Sequence, residues 1–360
     1  MAAWFEGRGA FARAAELYSE CGQFQRALGL FLRCGEAELP RAIDMAGRAR
    51  SDVVTHALID FLMGEADGAP KDPKWVFKLY LALGDFAQAS KTAGIIADQE
   101  QRQGNYKVAH GVLLETCRAL QAAGARRPRA LARALQLLHS YLLVRRLVKL
   151  EAHEAAARMC VRVSRSISRF PEHVVPILTS TVIECVRAGL KRSAFEFACV
   201  LMRPEHRDAI EEKFRKKVEA LVRRPSDEEL EEERAPCPFC AAALPATAQA
   251  CETCKSSLPM CVLTGRFVTA DDVGACPCCR FPASLAGLRA LAAAPAEADR
   301  ACPMCGGAVD ARALAAAPQL APGSAEAVAA LRLAADGEVA DGDEEEREAN
   351  AAAAAAAAVK

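Results

Sequence analysis

Aromatic residues are scarce in this chain of 360 residues: they make up 6% of it, although 52% of its residues are hydrophobic. The apolar content is therefore mostly Ala, Leu and Val, a composition that favours helix over strand. Forty-six basic residues balance 46 acidic ones, which excludes a uniformly basic nucleic-acid binder and an acidic solvating chain. The sequence also lacks a signal peptide and an apolar run long enough to cross a bilayer. These absences predict a soluble, cytoplasmic, mainly helical protein.

Histidine is absent from the segment that holds most of the cysteines. Ten of the 16 cysteines lie between Cys237 and Cys305, and none of the six histidines lies there. A Cys-x-x-Cys spacing lets two thiolates converge on one ion, and two such knuckles complete a tetrahedral site. We therefore predict a zinc-binding module at 236–310 that holds two structural Zn²⁺ ions, each on four cysteines. The predicted ligands form four pairs: Cys237 and Cys240, Cys251 and Cys254, Cys276 and Cys279, Cys302 and Cys305.

The four pairs can share two ions in more than one way. Sequential pairing puts the first two pairs on one ion and the last two on the other, whereas a cross-brace interleaves them. Cys261 is a possible further ligand, and Cys278 is a neighbour of the third pair. A disulfide framework would instead require a secreted chain. Four thiolates leave no open position on the metal, so catalytic zinc is not predicted. The sequence also lacks the phosphate-loop, nucleophile-elbow, zinc-protease and dinucleotide motifs, so we predict no catalytic site and no enzyme activity.

A recurrent phrase, Gly-x-aromatic-x-x-Ala, begins at Gly9, Gly22, Gly84 and Gly104. In a helical hairpin of the tetratricopeptide kind, such a Gly ends one helix and the small Ala lets two helices approach closely. The spacing of the phrases does not keep the period of about 34 residues that these repeats have. We therefore predict a degenerate tetratricopeptide-like α-solenoid over 1–224, with a closed helical bundle as the alternative.

Two segments of biased composition flank the cysteine-rich part. Residues 227–233 include six acidic residues, which predicts an acidic linker at 225–235. After residue 310 the chain is rich in Ala and ends with an unbroken Ala run at 351–358. Such a segment has too few large apolar residues to bury a core. The sequence predicts a low-complexity, disordered tail with transient helix over 311–360.

One local charge excess stands out in the stretch 118–169, which begins with Arg118 and ends with Arg169. It holds twelve Lys and Arg residues but only two acids, Glu151 and Glu154. Such a stretch is either a set of solvated helix faces or a surface for an acidic partner, anionic lipid headgroups or membrane cargo adaptors. No stacking aromatics interleave the charges, so nucleic acid is not predicted as a partner.

Several sequence phrases carry a family signature. They are DPKWVFKLY at 72–80, TAGIIADQEQRQGNYKVAH at 92–110, the segment 171–207, CVLTGRF from Cys261, CPCCRFPA from Cys276 and CPMC from Cys302. Together they resemble the C-terminal part of WD-repeat subunits of intraflagellar transport complex A. The resemblance implies a tetratricopeptide-like solenoid with a zinc-binding end, without the N-terminal β-propellers of that family. We expect on this ground a fragment of a longer protein.

The resemblance also implies a function. Members of the family act in retrograde ciliary transport and in the entry of membrane proteins into cilia. A structural scaffold at the cilium or flagellum and the basal body is therefore expected, with other complex A subunits as partners. Two alternatives share the architecture: a RING-like ubiquitin ligase, disfavoured by the absent histidine and the long gap from Cys279 to Cys302, and a non-ciliary vesicle-coat or tethering subunit.

Overall fold

A computed structural model shows that the chain forms two compact units, Met1–Ala97 and Asp98–Lys360. The structure describes residues 1–65, 68–223, 233–316, 320–321 and 323–336. Helices dominate these ranges, and the strands are three residues long. The predicted mainly α fold class is confirmed. In the described ranges, no helix combines the length and the apolar character that a membrane span requires.

The first unit is built from helices that follow one another through short turns. They are α1 (Ala2–Gly7), α2 (Phe11–Glu20), α3 (Phe24–Arg33), α4 (Leu39–Ala49), α5 (Asp52–Met63) and α6 (Pro73–Leu83), and α7 (Phe86–Arg102) begins within this unit. Its core includes Phe31, Met45 and Leu58, which are at most 3% exposed. Burial of such side chains contributes about 1.5 to 3 kcal/mol each.

The recurrent phrase acts as the sequence predicts. Each of its four glycines has a backbone φ between 74° and 78°, in the left-handed region that Gly adopts without a Cβ clash. The Ala that closes each phrase is fully buried: Ala14, Ala27, Ala89 and Ala109 are 0% exposed. Because these side chains are methyl groups, neighbouring helices approach closely there. The phrase thus specifies where each helical hairpin turns and where it packs.

The second unit continues the helical hairpins. After α7 come α8 (Tyr106–Ala122), α9 (Arg129–Lys149), α10 (His153–Arg165), α11 (Val174–Arg187), α12 (Lys191–Leu201), α13 (Pro204–Arg207) and α14 (Glu212–Arg223). Each of α8 to α11 packs against the next helix along the chain, and α14 packs against α12. Leu178, Phe197 and Leu201 lie in the core between the last of these helices.

The cysteine-rich segment has little regular structure. Strands β1 (Arg234–Pro236) and β2 (Ala243–Pro245) form one antiparallel hairpin, and β3 (Val273–Ala275) and β4 (Pro282–Ser284) form another. Helix α15 (Leu285–Ala292) follows β4. The cysteine-rich segment has few large side chains that are buried; examples are Leu244, Leu258, Phe267 and Phe281. This segment needs crosslinks beyond a hydrophobic core.

Two helices lie among the described residues after residue 310, where the sequence predicts a low-complexity tail with transient helix. They are α16 (Ala311–Ala316) and α17 (Ala325–Asp336), and Ala327 and Leu331 of α17 are at most 1% exposed. The high helix propensity of Ala and the burial of Leu331 account for this order. The prediction for 337–360, and most of the predicted linker at 225–235, lie outside the described residues.

Candidate metal centre

The eight predicted ligand cysteines come together in two groups of four. The first cluster is Cys237, Cys240, Cys251 and Cys254, and the second cluster is Cys276, Cys279, Cys302 and Cys305; within each, all sulfurs lie within 4.8 Å of one another. The grouping is sequential, so the interleaved cross-brace is not the arrangement of this chain.

The sulfur separations suit a metal ion. Adjacent sulfurs are 3.6 Å apart between Cys240 and Cys251, and 3.9 Å apart between Cys276 and Cys305. A tetrahedral site with metal–sulfur bonds of about 2.3 Å places its sulfurs about 3.8 Å apart. A disulfide would need about 2.05 Å, and all 16 cysteines are free thiols. Each cluster can therefore hold one metal ion.

The knuckles share one backbone geometry. The amide of the first Cys donates to the carbonyl oxygen five residues later, and the residue four positions after that Cys has a positive φ. The amide bonds measure 2.8 to 3.0 Å, from Cys237 to Ala242, Cys251 to Ser256, Cys261 to Arg266, Cys276 to Phe281 and Cys302 to Gly307. The left-handed residues are Ala241, Lys255, Gly265, Arg280 and Gly306.

One of these five turns is not a Cys-x-x-Cys pair. We name residues 261–266 the fifth knuckle; it carries Thr264 where the others carry a second Cys. The sulfur of Cys261 accepts hydrogen bonds from the amides of Leu263 (3.4 Å) and Ser284 (3.3 Å) and belongs to neither cluster. Sequence reasoning missed this knuckle, although Gly265 at the left-handed position was a signal for it. Cys278 also lies outside both clusters.

At least one thiol in each cluster is placed to ionise, whereas burial raises the pKa of the Cys237 thiol. Hydrogen bonding to Ser256 lowers the pKa of the Cys254 thiol to about 6. Hydrogen bonding to Cys279 lowers the pKa of Cys276 to about 7. Because the thiolate is the form that binds metals, both side chains favour a bound cation at neutral pH.

The basic stretch 118–169 meets the cysteine-rich segment. Eight of its twelve basic residues contact residues 233–305: Arg118, Arg127, Arg129, Arg133, Arg146, Arg158, Arg162 and Arg165. Most of these contacts are hydrogen bonds to backbone carbonyls or to the Ser257 hydroxyl. Most basic residues of this stretch therefore connect the helices to the cysteine-rich segment of the same unit.

Buried side chains of α9 and α10 donate hydrogen bonds to the fifth knuckle. His139 Nε2 donates to the carbonyl oxygen of Val262 at 2.9 Å, and Arg162 Nη2 donates to that of Gly265 at 3.0 Å. Arg162 also donates to Ser140 Oγ at 2.9 Å. A Cβ at Gly265 would lie 3.0 Å from Arg158 Cβ. Only glycine allows this close approach of the knuckle to α10 at a φ of 74°.

Ion pairs add to this interface at the start of the cysteine-rich segment. Arg158, which is 8% exposed, contacts Glu154 and Glu233 at 3.1 Å each. Arg266, in the fifth knuckle, also pairs with Glu233. Helix α10 and the fifth knuckle therefore share one carboxylate, so breaking either ion pair affects both elements.

Acid should weaken this interface through His139. Burial lowers the pKa of its imidazole to about 4 from an ordinary 6.5, against the opposing effect of the Val262 carbonyl. Burial and Arg118 also lower the pKa of the nearby His110. In the unfolded chain His139 binds a proton below about pH 6.5, whereas in the folded chain it binds one only below about pH 4. The free energy of unfolding therefore falls as the pH decreases from about 6.5 to about 4, by about 3 kcal/mol at most.

The measurement is the free energy of unfolding of the second unit between pH 7 and pH 4, with His139→Gln as the matched control. Glutamine keeps an N–H donor for Val262 but cannot titrate. Its curve should be flatter than that of the wild type in this window. Parallel curves would contradict the assignment of the effect to His139.

Comparison with known proteins shows to which proteins the chain is similar. No family model matches the chain. The chain is 46% identical over 309 residues to WD repeat-containing protein 19 of mouse and of human, a match that covers 85% of this chain and 23% of either relative. It is 39% identical over 295 residues to WD repeat-containing protein dyf-2 of Caenorhabditis elegans, covering 81% of this chain and 21% of that protein.

The chain thus spans about a quarter of the length of these relatives. Identity at this level over 85% of the chain exceeds what a shared fold alone would give. It confirms that the sequence phrases resemble part of a WD repeat-containing protein. This chain is a homologue of WD repeat-containing protein 19 and of dyf-2 over the part of those proteins that it matches.

Proposed function

We propose that this chain is a structural scaffold in intraflagellar transport complex A, which acts in retrograde ciliary transport and in the ciliary entry of membrane proteins. The observation that carries the proposal is the 46% identity to WD repeat-containing protein 19 over 85% of the chain. That match is long enough to include both helical hairpins and cysteine-rich residues. Its place of action would be the cilium or flagellum and the basal body.

The fold suits assembly through protein–protein contacts. Stacked helical hairpins bury a continuous core and leave broad surfaces for partners. In the second unit, hydrogen bonds from α8, α9 and α10 hold the cysteine-rich segment against those hairpins. Other complex A subunits are the proposed partners of these surfaces.

The metal in each cluster is proposed to be structural Zn²⁺. Four thiolates in tetrahedral array are a donor set typical of structural zinc. When bound, the ion joins two knuckles where the segment lacks a large core. The cysteines supply all four donors, so the chain's own residues complete the site.

The basic stretch leaves a smaller area for an anionic partner than its charge suggests. Arg145 and Lys149 are exposed on α9, whereas eight other basic residues contact the cysteine-rich segment. An anionic lipid headgroup or a membrane cargo adaptor would meet this exposed part of α9. Nucleic acid is not proposed as a partner.

The grouping of the cysteines distinguishes the proposed scaffold from one of the two alternative functions. The sequential grouping of the cysteines favours a zinc-ribbon-like scaffold over a RING-like ubiquitin ligase with interleaved pairs. We therefore propose that the chain is not an enzyme. A non-ciliary vesicle-coat or tethering subunit would have the same architecture, so only its partners distinguish it.

Affinity purification of the tagged chain from ciliated cells, followed by mass spectrometry, tests the proposal. We expect the other complex A subunits to co-purify in stoichiometric amounts. The variant Cys237→Ser with Cys240→Ser removes one knuckle, and we expect smaller amounts of the complex A subunits to co-purify with it. Recovery of ubiquitin-conjugating enzymes, or of tethering subunits without complex A subunits, would refute the ciliary scaffold.

A further inference from the structure

The two clusters are held to the helices in different ways. The second cluster offers the carbonyl oxygens of its own turns: Arg118 donates to that of Cys305 at 2.5 Å, and Arg127 to that of Cys279 at 3.2 Å. Gln121 donates to the carbonyl of Cys278 at 3.0 Å. The hydrogen bonds that α9 and α10 donate near the first cluster go instead to Thr247 and Ser257, outside its two turns. Arg332 of α17 lies 5.3 Å from the centroid of the Phe239 ring, so this contact of the first cluster with a helix is to a side chain and not to its carbonyls.

Charge reinforces the contacts of the second cluster. Four thiolates and one divalent cation leave a net charge of about −2. Arg118 and Arg127 place two guanidinium groups against the carbonyls of ligand residues, where charge-assisted hydrogen bonds are strong. The guanidinium of Arg127 also lies 4.3 Å from the centroid of the Phe281 ring, in the turn that contains Cys276 and Cys279.

The two clusters also differ in the solvent exposure of their cysteines. In the second cluster Cys276, Cys279 and Cys302 are at most 3% exposed. In the first cluster Cys240 is exposed. The second cluster is therefore enclosed between its own turns and the helices, whereas the first is open to solvent on one side.

We propose that metal occupancy of the second cluster, and not of the first, fixes the cysteine-rich segment to α8 and to the loop 123–128 that follows it. With an ion bound, the turns 276–281 and 302–307 are crosslinked, and the carbonyls of Cys279 and Cys305 stay in place for Arg127 and Arg118. Without it, those carbonyls lose their fixed positions and the two arginines lose their anionic partner. The inference holds whichever proteins bind this chain, so it does not rest on the proposed ciliary role.

The test uses the full chain with one cluster disabled at a time. Cys279→Ser with Cys302→Ser removes one ligand from each turn of the second cluster, and Cys240→Ser with Cys251→Ser is the matched change in the first. Native mass spectrometry should find one ion in each variant. Amide hydrogen exchange at 118–127 should be roughly tenfold faster in the second-cluster variant and unchanged in the first-cluster variant.

A second pair of variants keeps the test decisive if the second-cluster variant does not fold. Arg118→Gln with Arg127→Gln should retain two ions and still accelerate exchange at 118–127. Arg145→Gln, an exposed change on α9, is its control and should alter neither. Wild-type protection in the second-cluster variant, equal acceleration in both cluster variants, or unchanged exchange in the double Arg variant would each overturn the proposal.

Discussion

Removing the metal ions with a strong chelator is expected to unfold residues 233–310 while the helices of residues 98–223 keep their helical content. The cysteine-rich segment has few large buried side chains, and strands of three residues add little stability. Structural zinc contributes apparent binding free energies of about 10 to 16 kcal/mol per site in small zinc modules. Helices α9 to α12 and α14 share hydrophobic cores of their own.

Far-UV circular dichroism and hydrogen exchange, followed before and after chelation, measure this effect. Helical ellipticity should change little, whereas protection within 233–310 should disappear and return when Zn²⁺ is added. Mg²⁺, which prefers oxygen ligands, is the control and should not restore it. Persistent protection of 233–310 in metal-free protein would contradict a structural role for the ions.

Replacing Arg162 with Met should destabilise the second unit by about 2 to 4 kcal/mol, because hydrogen bonds from a buried charged donor are lost. Arg162 is 6% exposed and donates to both Gly265 and Ser140. Burial lowers its pKa to about 10, so its guanidinium remains charged at neutral pH and needs those acceptors. Methionine fills similar space but leaves the Gly265 carbonyl without this donor.

Urea unfolding of the wild type, Arg162→Met and Arg145→Met measures the difference. Arg145→Met is the matched control, since it makes the same chemical change at an exposed position of α9. It should alter the free energy of unfolding by less than about 0.5 kcal/mol. Equal effects of the two substitutions would show that the contact with the fifth knuckle is not a main support of the interface.

Local patterns made much of this structure predictable. Gly at the end of a helix and Ala five positions later identify a hairpin, since both residues act within a short stretch of the chain. The Cys-x-x-Cys pairs identify metal knuckles for the same reason: spacing alone brings two sulfurs together. Sequence spacing does not determine which knuckles share an ion, and here each ion site joins knuckles that are neighbours along the chain.

Contacts across long stretches of sequence were not predictable. Arg118 and Cys305 are 187 residues apart, and nothing in the local pattern around Arg118 indicates that its partner is a backbone carbonyl. The acids near the basic stretch are few, so its charge suggested an external anion, whereas backbone carbonyl oxygens of the same chain accept hydrogen bonds from four of its arginines. The fifth knuckle was hidden because Thr264 replaces the residue that makes the other knuckles visible.

Native mass spectrometry of the intact chain, purified from cells without added metal, tests whether the two cysteine clusters hold structural metal ions. We predict two bound Zn²⁺ ions, with the eight cluster cysteines as their ligands and no disulfide among them. Loss of one ion from each single-cluster variant would assign the ions to the clusters. A chain that carries no metal, or whose cluster cysteines are joined as disulfides, would contradict this prediction.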